Sequence, residues 1–283
     1  MTGGSHIRLA VALLWPAGCF ASTEVPRISG PGPETVQAFD QYVRLTESVL
    51  DARLHGEQDF LWPRTAEMRE QLHRGQIACG PRSRRGDVMI AHGLIHDWVG
   101  AVFIPGVTLD AVLRVVQDYD HHKNTYPHEV MDSRILERNS NDFRVYLRLM
   151  KRKVITVVLD TEHQVRYRPL SRHRWHSRSY STRIVEVADP GAPSERAAPT
   201  GKDHGFLWRL NSYWIFLEKD GGVYVECEAI SLTRSVPRSL AWLLDPIMRS
   251  LPREALVSTL LATRAALAAS NGVAAQPSSL PRR

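Results

Sequence analysis

Two short runs of the chain hold the side chains best suited to chemistry. Arg209, Asn211 and Tyr213 recur at every second position, as do Glu226 and Glu228, and Asp220-Gly221-Gly222 lies between the two runs. Alternation places each set on one face of a strand, and an Asp-Gly-Gly segment has the residues that a hairpin turn demands. Folded back on each other, the two faces coincide. Turned into a cavity, Arg209 and a glutamate would form a buried pair able to orient a polar head group. The same pair could shift a carboxyl for acid–base work, with Glu226 or Glu228 as base and Tyr213 as proton donor. Turned outward, these residues make a cross-strand surface pair of little energetic weight. Trp208, Leu210, Trp214 and Phe216 occupy the other face and look like core, which favours the outward reading.

Other candidates are weaker. His121, His122 and His128, with Asp120 and Glu129 nearby, are the one grouping in which zinc is conceivable, but their spacing matches no zinc motif and no fourth ligand is evident, so no metal is expected. His92 and His96 would share a face only on a helix, and their segment reads as strand. Arg166 to Arg183 holds six arginines with Tyr167, Trp175 and Tyr180 among them. That pattern is first of all a solvated sheet face. It also suits an anionic membrane surface, through Arg172, Arg174 and Arg178, and much less a single-stranded nucleic acid. Nucleophile elbows, phosphate loops and dinucleotide turns are absent, so no cofactor is implied.

Composition bounds the class. The chain has 283 residues, 43% hydrophobic and 23% charged, with a formal charge of +6. These values are ordinary for a soluble globular protein and leave room for a sizeable core. Behind Arg8, the run Leu9 to Leu14 and the small residues up to Ala21 read as an export signal, giving a periplasmic or extracellular protein. Ala17-Gly18-Cys19 also suggests a lipoprotein signal, with Pro16 where an aliphatic residue belongs. Of the three cysteines, Cys79 and Cys227 would remain after cleavage and could pair in an oxidising compartment; a packed thiol at Cys227 is the simpler expectation.

The elements that must position these residues follow in order. Ser22 to Pro33 is a linker, and Glu34–His55 and Thr65–Leu72 carry helical patterns. Cys79–Asp87 reads as a loop. From about 91 the main domain opens with a strand at Leu94–Ile104 and a helix capped by Thr108. Strands are expected at Val130–Glu137, Phe143–Met150, Val154–Thr161, Val165–Arg168 and Trp175–Val187, with turns at Asn139–Asp142 and Asp160–Gln164. After the Arg209–Leu232 hairpin come a short helix near Leu240–Leu244 and a last helix from about Pro252, placing Leu256, Leu260, Thr263 and Leu267 on one stripe. Residues 270–283 read as a disordered tail.

Strand, helix, a run of antiparallel strands and one long C-terminal helix resemble the START-like superfamily, the helix-grip fold. The residues that carry the likeness are Phe103-Ile104-Pro105-Gly106, the helix from Thr108, Asp118-Tyr119-Asp120 before Tyr126-Pro127, and the Pro237 to Leu267 region. The helices between 34 and 72 depart from the usual pattern. The resemblance implies an α+β domain in which a curved antiparallel sheet grips the last helix around an apolar cavity. A hydrophobic or amphipathic guest, lipid or isoprenoid-like, would sit there, lined by Arg209, Asn211, Tyr213, Glu226, Leu256 and Leu260. Some members of the superfamily use the same cavity for cyclisation or dehydration, which is the alternative function.

Overall fold

A computed structural model describes residues 30–56, 60–63, 65–83, 87–152, 156–199, 203–235 and 238–274. The expected export signal, Cys19, most of the linker, and Arg84 and Arg85 lie outside these residues. In chain order the helices are α1 (Pro33–His55), α2 (Ala66–His73), α3 (Leu109–Gln117), α4 (His122–Thr125) and α5 (Arg238–Ala274). The strands are β1 (Ala78–Pro81), β2 (Asp87–Ile90), β3 (Gly93–Pro105), β4 (Val130–Asn139), β5 (Asp142–Arg152), β6 (Thr156–Ser171), β7 (Arg174–Ala188), β8 (Arg196–Ala197), β9 (Arg209–Lys219) and β10 (Gly222–Arg234).

Local chemistry explains the ends of several elements. Thr65 and Thr108 cap α2 and α3, their hydroxyls accepting from the amides of Met68 and Ala111. Asp220 and Gly221 both take positive φ, 58° and 76°, as the tight turn from β9 into β10 requires. Across the sheet the order is β1-β3-β10-β9-β7-β6-β5-β4, every pairing antiparallel, with β2 on β3 and β8 on β7. Register shifts between Glu162 and His163 and between Pro169 and Ser171 interrupt the β6–β7 ladder; irregularities of this kind bend a sheet. The result is the α+β helix-grip architecture that the resemblance implied.

Each face of the sheet has its own cover. Val102, Ile104, Phe216, Val223, Val225 and Cys227 form one core with Leu113 of α3 and with Leu256, Leu260 and Leu267 of α5. Ile95, Tyr213, Ile215, Ile230 and Leu232, on the opposite face, form a second core with Phe39, Val43, Leu50 and Leu54 of α1. The central strands are therefore buried on both sides. The first face, gripped by α5, is called the inner face below, and the second the outer face.

Three expectations about elements need correction. Asp160–Gln164 is not a turn: β6 runs unbroken through it, because its polar side chains find cross-strand places. The loop expected at Cys79–Asp87 begins as strand, β1 pairing Ala78–Pro81 with Ala101–Trp98. The last helix is one continuous element from Arg238 through Pro246 and Pro252 to Ala274, so the expected tail begins as helix. An internal proline removes one backbone hydrogen bond and strains the turn before it; the alanine-rich stretch beyond Pro252 is a strong helix former that carries the element on.

Candidate ligand site

On the inner face, α5 comes down onto β3 at Gly100. A Cβ there would stand 2.9 Å from Leu260 Cδ1 and 3.3 Å from Leu256 Cδ2. These two leucines, expected as ligand contacts, lie in the core between helix and sheet, Leu256 4% and Leu260 0% exposed. One step along the strands the surface changes. Cross-strand pairing sets Trp98, Ala229, Ser212 and Ser179 side by side on β3, β10, β9 and β7. Strands lie about 4.8 Å apart, so the three small residues floor a shallow row roughly 10 Å across. All four are only half-buried, as is Trp214 in the next row. Trp214 stacks on Phe216 with ring centroids 6.1 Å apart, and Trp175 pairs with Phe216 at the end of the same face.

Few polar groups face inward among the described residues, and most are occupied. The Tyr119 and Tyr167 hydroxyls meet at 2.9 Å, and Tyr167 also donates to the Val116 carbonyl at 3.1 Å. Tyr126 and Thr263 hydroxyls meet at 3.1 Å. His163, 4% exposed, contacts Thr161 through Nε2 and leaves Nδ1 without a partner. Burial lowers its pKa to about 4, so the ring is neutral at physiological pH.

The residues proposed as chemical machinery share one face as expected, but it is the outer one. Arg209, Asn211, Tyr213, Glu226 and Glu228 are separated from α5 by the sheet itself, because their parity is opposite to that of Phe216, Val225 and Cys227. Tyr213, Glu226 and Glu228 are not solvated either: α1 covers them, while Arg209 is only half-buried. Glu226 is fully buried and takes its partner from α1. Arg53 donates to Oε1 at 2.5 Å, and the Trp62 amide donates to Oε2 at 2.6 Å. Arg209 donates instead to the Trp208 carbonyl. The Tyr213 hydroxyl donates to Glu47 at 3.1 Å. Sequence reasoning missed Tyr42, Glu47, Asp51 and Arg53; their spacing on α1, with Glu47, Asp51 and Leu54 on turns facing the sheet, was the available signal. Asp97, considered only beside His92 and His96, lies on β3 against Tyr42.

Burial dominates the electrostatics of this layer. It raises the pKa of Glu226, against the lowering effect of Arg53. It raises that of Glu228 to about 8, helped by the charge of Asp97, and that of Asp97 to about 6. Arg82 Nε lies 3.4 Å from Glu228 Oε1. Two buried neighbouring carboxyls cannot both ionise cheaply, so the pair retains a proton near neutrality.

The remaining candidates are scattered. His121 pairs with Asp118 at 2.8 Å on the surface, whereas His122 is buried and contacts the Val116 carbonyl. Among the described residues no three His, Cys, Asp or Glu side chains gather as metal ligands. The proposed membrane-facing arginines do not form one free patch. Arg172 is exposed, Arg174 lies over the Phe60 ring, and Arg178 is bound to Asp51 and faces Glu47 of α1. An open cleft of about 510 Å³ lies beside Arg174, between Leu54 and His55 and the ends of β6, β7 and β9. Cys79 and Cys227 are both free. Each is paired with Gly100 from opposite sides of β3, which puts their Cα atoms about two strand spacings apart and beyond disulfide reach.

No protein-family model matches the sequence, and no curated protein matches it. Solved structures similar to this chain include a STAR-related lipid transfer protein from Xanthomonas axonopodis, 18% identical, covering 64% of this chain and 97% of that one with a TM-score of 0.44. The Zhui aromatase/cyclase from Streptomyces sp. R1128 is 14% identical over 65% of this chain and 99% of its own, with a TM-score of 0.46. Human STARD10 is 12% identical over 71% and 78%, with a TM-score of 0.40.

Proposed function

We propose that this protein binds or carries a hydrophobic or amphipathic small molecule, lipid or isoprenoid-like, on the inner face of the sheet under α5. The observation that carries this reading is the row Ala229, Ser212 and Ser179. Small side chains lie there beside half-buried Trp98 and Trp214, where a protein built only for stability would bury larger apolar groups. A guest laid on the row would remove indole surface and its own apolar surface from water, at roughly 25 cal/mol per Å². The serine hydroxyls would set its orientation. The cyclase or dehydratase alternative loses Tyr213, Glu226 and Glu228 as its acid and base, since they lie across the sheet from this row.

Titration with a neutral fluorescent naphthylamine, followed by energy transfer from tryptophan, tests the reading. Saturable binding is expected in the wild type, and its loss is expected in Ser212→Trp, which fills the row at a half-buried position. Equal binding by both proteins, or none by the wild type to any apolar probe, would remove the proposal. The leader read over residues 1–21 supports an exported carrier; mass spectrometry of protein from its native host should then find a mature N-terminus near Ser22 or a lipidated Cys19.

A further inference from the structure

The outer face carries an arrangement that ligand binding under α5 does not use. α1 is held there by polar contacts spaced along its length. The Tyr42 hydroxyl donates to Asp97 Oδ2 at 2.7 Å. Glu47 accepts from the hydroxyls of Tyr180, at 2.5 Å, and Tyr213. Asp51 is bound by Arg178, and Arg53 reaches Glu226. At the end near the start of α1, Glu34 meets His92 at 3.3 Å on the surface, and the Thr35 hydroxyl donates to the Ala91 carbonyl.

Beneath Tyr42 and Arg53 sit three carboxyls, Asp97, Glu226 and Glu228, 1%, 0% and 2% exposed. Two guanidinium groups face them, Arg53 and Arg82. The charges balance only when one of the three carboxyls is protonated. Asp97 Oδ1 and Glu228 Oε1 are both buried and make no hydrogen bond, Arg82 Nε standing off Glu228 Oε1 at 3.4 Å. A proton held between these neighbours, which lie diagonally across β3 and β10, supplies the missing donor. We propose that the proton shared by Asp97 and Glu228 latches α1 onto the outer face, so that the helix is seated in neutral and mildly acidic media and loosens as the medium turns alkaline. Opening would expose the apolar strip of Ile95, Ile215, Ile230 and Leu232 that α1 covers.

The direction follows from linkage. Glu228 is raised to about 8 in the closed state, chiefly by burial and then by the charge of Asp97; lifting α1 re-solvates it and lowers it toward the ordinary carboxyl range. Between those values the closed state holds the extra proton, so each rise in pH favours opening, and the effect levels off above about 8. The other titratable groups facing the helix are His92, opposite Glu34, three tyrosines and His176. Tyr42, Tyr180 and Tyr213 are raised, chiefly by burial, and stay neutral. His176, near Arg178 and Asp51, is lowered to about 4 by burial and is already neutral above pH 6.5.

Hydrogen–deuterium exchange of peptides from 33–55, corrected for intrinsic rates, tests the latch between pH 6.5 and 8.5. The expected result is a loss of protection approaching tenfold per pH unit up to about pH 8, with β10 peptides unchanged. Glu228→Gln, which keeps the neutral shape, should remove the slope and hold α1 protected throughout. Asp97→Asn should flatten it too and serves if the first variant does not fold. A wild-type slope equal to that of both variants, or parallel loss of protection in α1 and β10, would overturn the proposal.

Discussion

Glu226 and Arg53 are the residues on which the outer layer depends most. An ion pair this deeply buried is tolerable because both carboxylate oxygens are bonded, one by the guanidinium and one by the Trp62 amide. Removing one partner strands the other, so Glu226→Ala should cost about 3–5 kcal/mol in chemical denaturation. Replacing both together, Arg53→Met with Glu226→Leu, should recover most of that loss. A single substitution without effect on the denaturation midpoint would show the pair to be unimportant. His163 gives a prediction of opposite chemical sense. Its folded pKa lies near 4, below the usual 6.5, so the folded state binds fewer protons than the unfolded one in that window. Its contribution is complete above pH 6.5 and is lost as pH falls toward 4. The gap in stability between the wild type and His163→Gln should therefore shift by up to about 3 kcal/mol between pH 7 and pH 4.5, measured by thermal melts at both. At this scale the sequence was informative about alternation and silent about partners. The face shared by Arg209, Tyr213, Glu226 and Glu228 was legible from spacing. Their true neighbours, Arg53 and Tyr42, lie far upstream and reach them only through the fold.

Among the elements, α5 and β3 define the grip, and Gly100 sets how closely they approach. Gly100→Val would drive a branched side chain against Leu256 and Leu260 and lift the helix. The expected cost is about 1–3 kcal/mol, as for other overpacked cores, read from the denaturation midpoint. An unchanged midpoint would mean that α5 is not seated on β3 as described. The hairpin β9–β10 was legible because its turn residues and its alternation agree. β6 was misread as two strands because Asp160 and Gln164 have turn chemistry in isolation, whereas in the sheet they pair with Arg148 and Arg144. The proline-based end of α5 failed for a similar reason. Local rules report what a residue disfavours, and an alanine-rich helix packed along a sheet can outweigh one missing hydrogen bond.

The whole molecule is a sheet covered on both sides, by α3 and α5 on one and by α1 on the other. That double cover is why polarity could not reveal which face was the gripped one: Glu226 and Glu228 on β10 are as buried as Val223 and Val225 before them. Of the apolar residues read as one core face, Phe216 lies in the inner core, Leu210 and Trp214 are only half-buried, and Trp208 joins the outer core under α1; the helix-grip order was recoverable from the succession of elements. The helices before residue 73 supplied the cover that no pattern in the strands announced. The proposed function rests on the half-buried row between Trp98 and Ser179. The most direct test is an experimental structure of the protein purified from its native host. The account predicts elongated density lying across Ala229, Ser212 and Ser179 beneath α5; side chains of α5 filling that row, with no space for a guest, would contradict it.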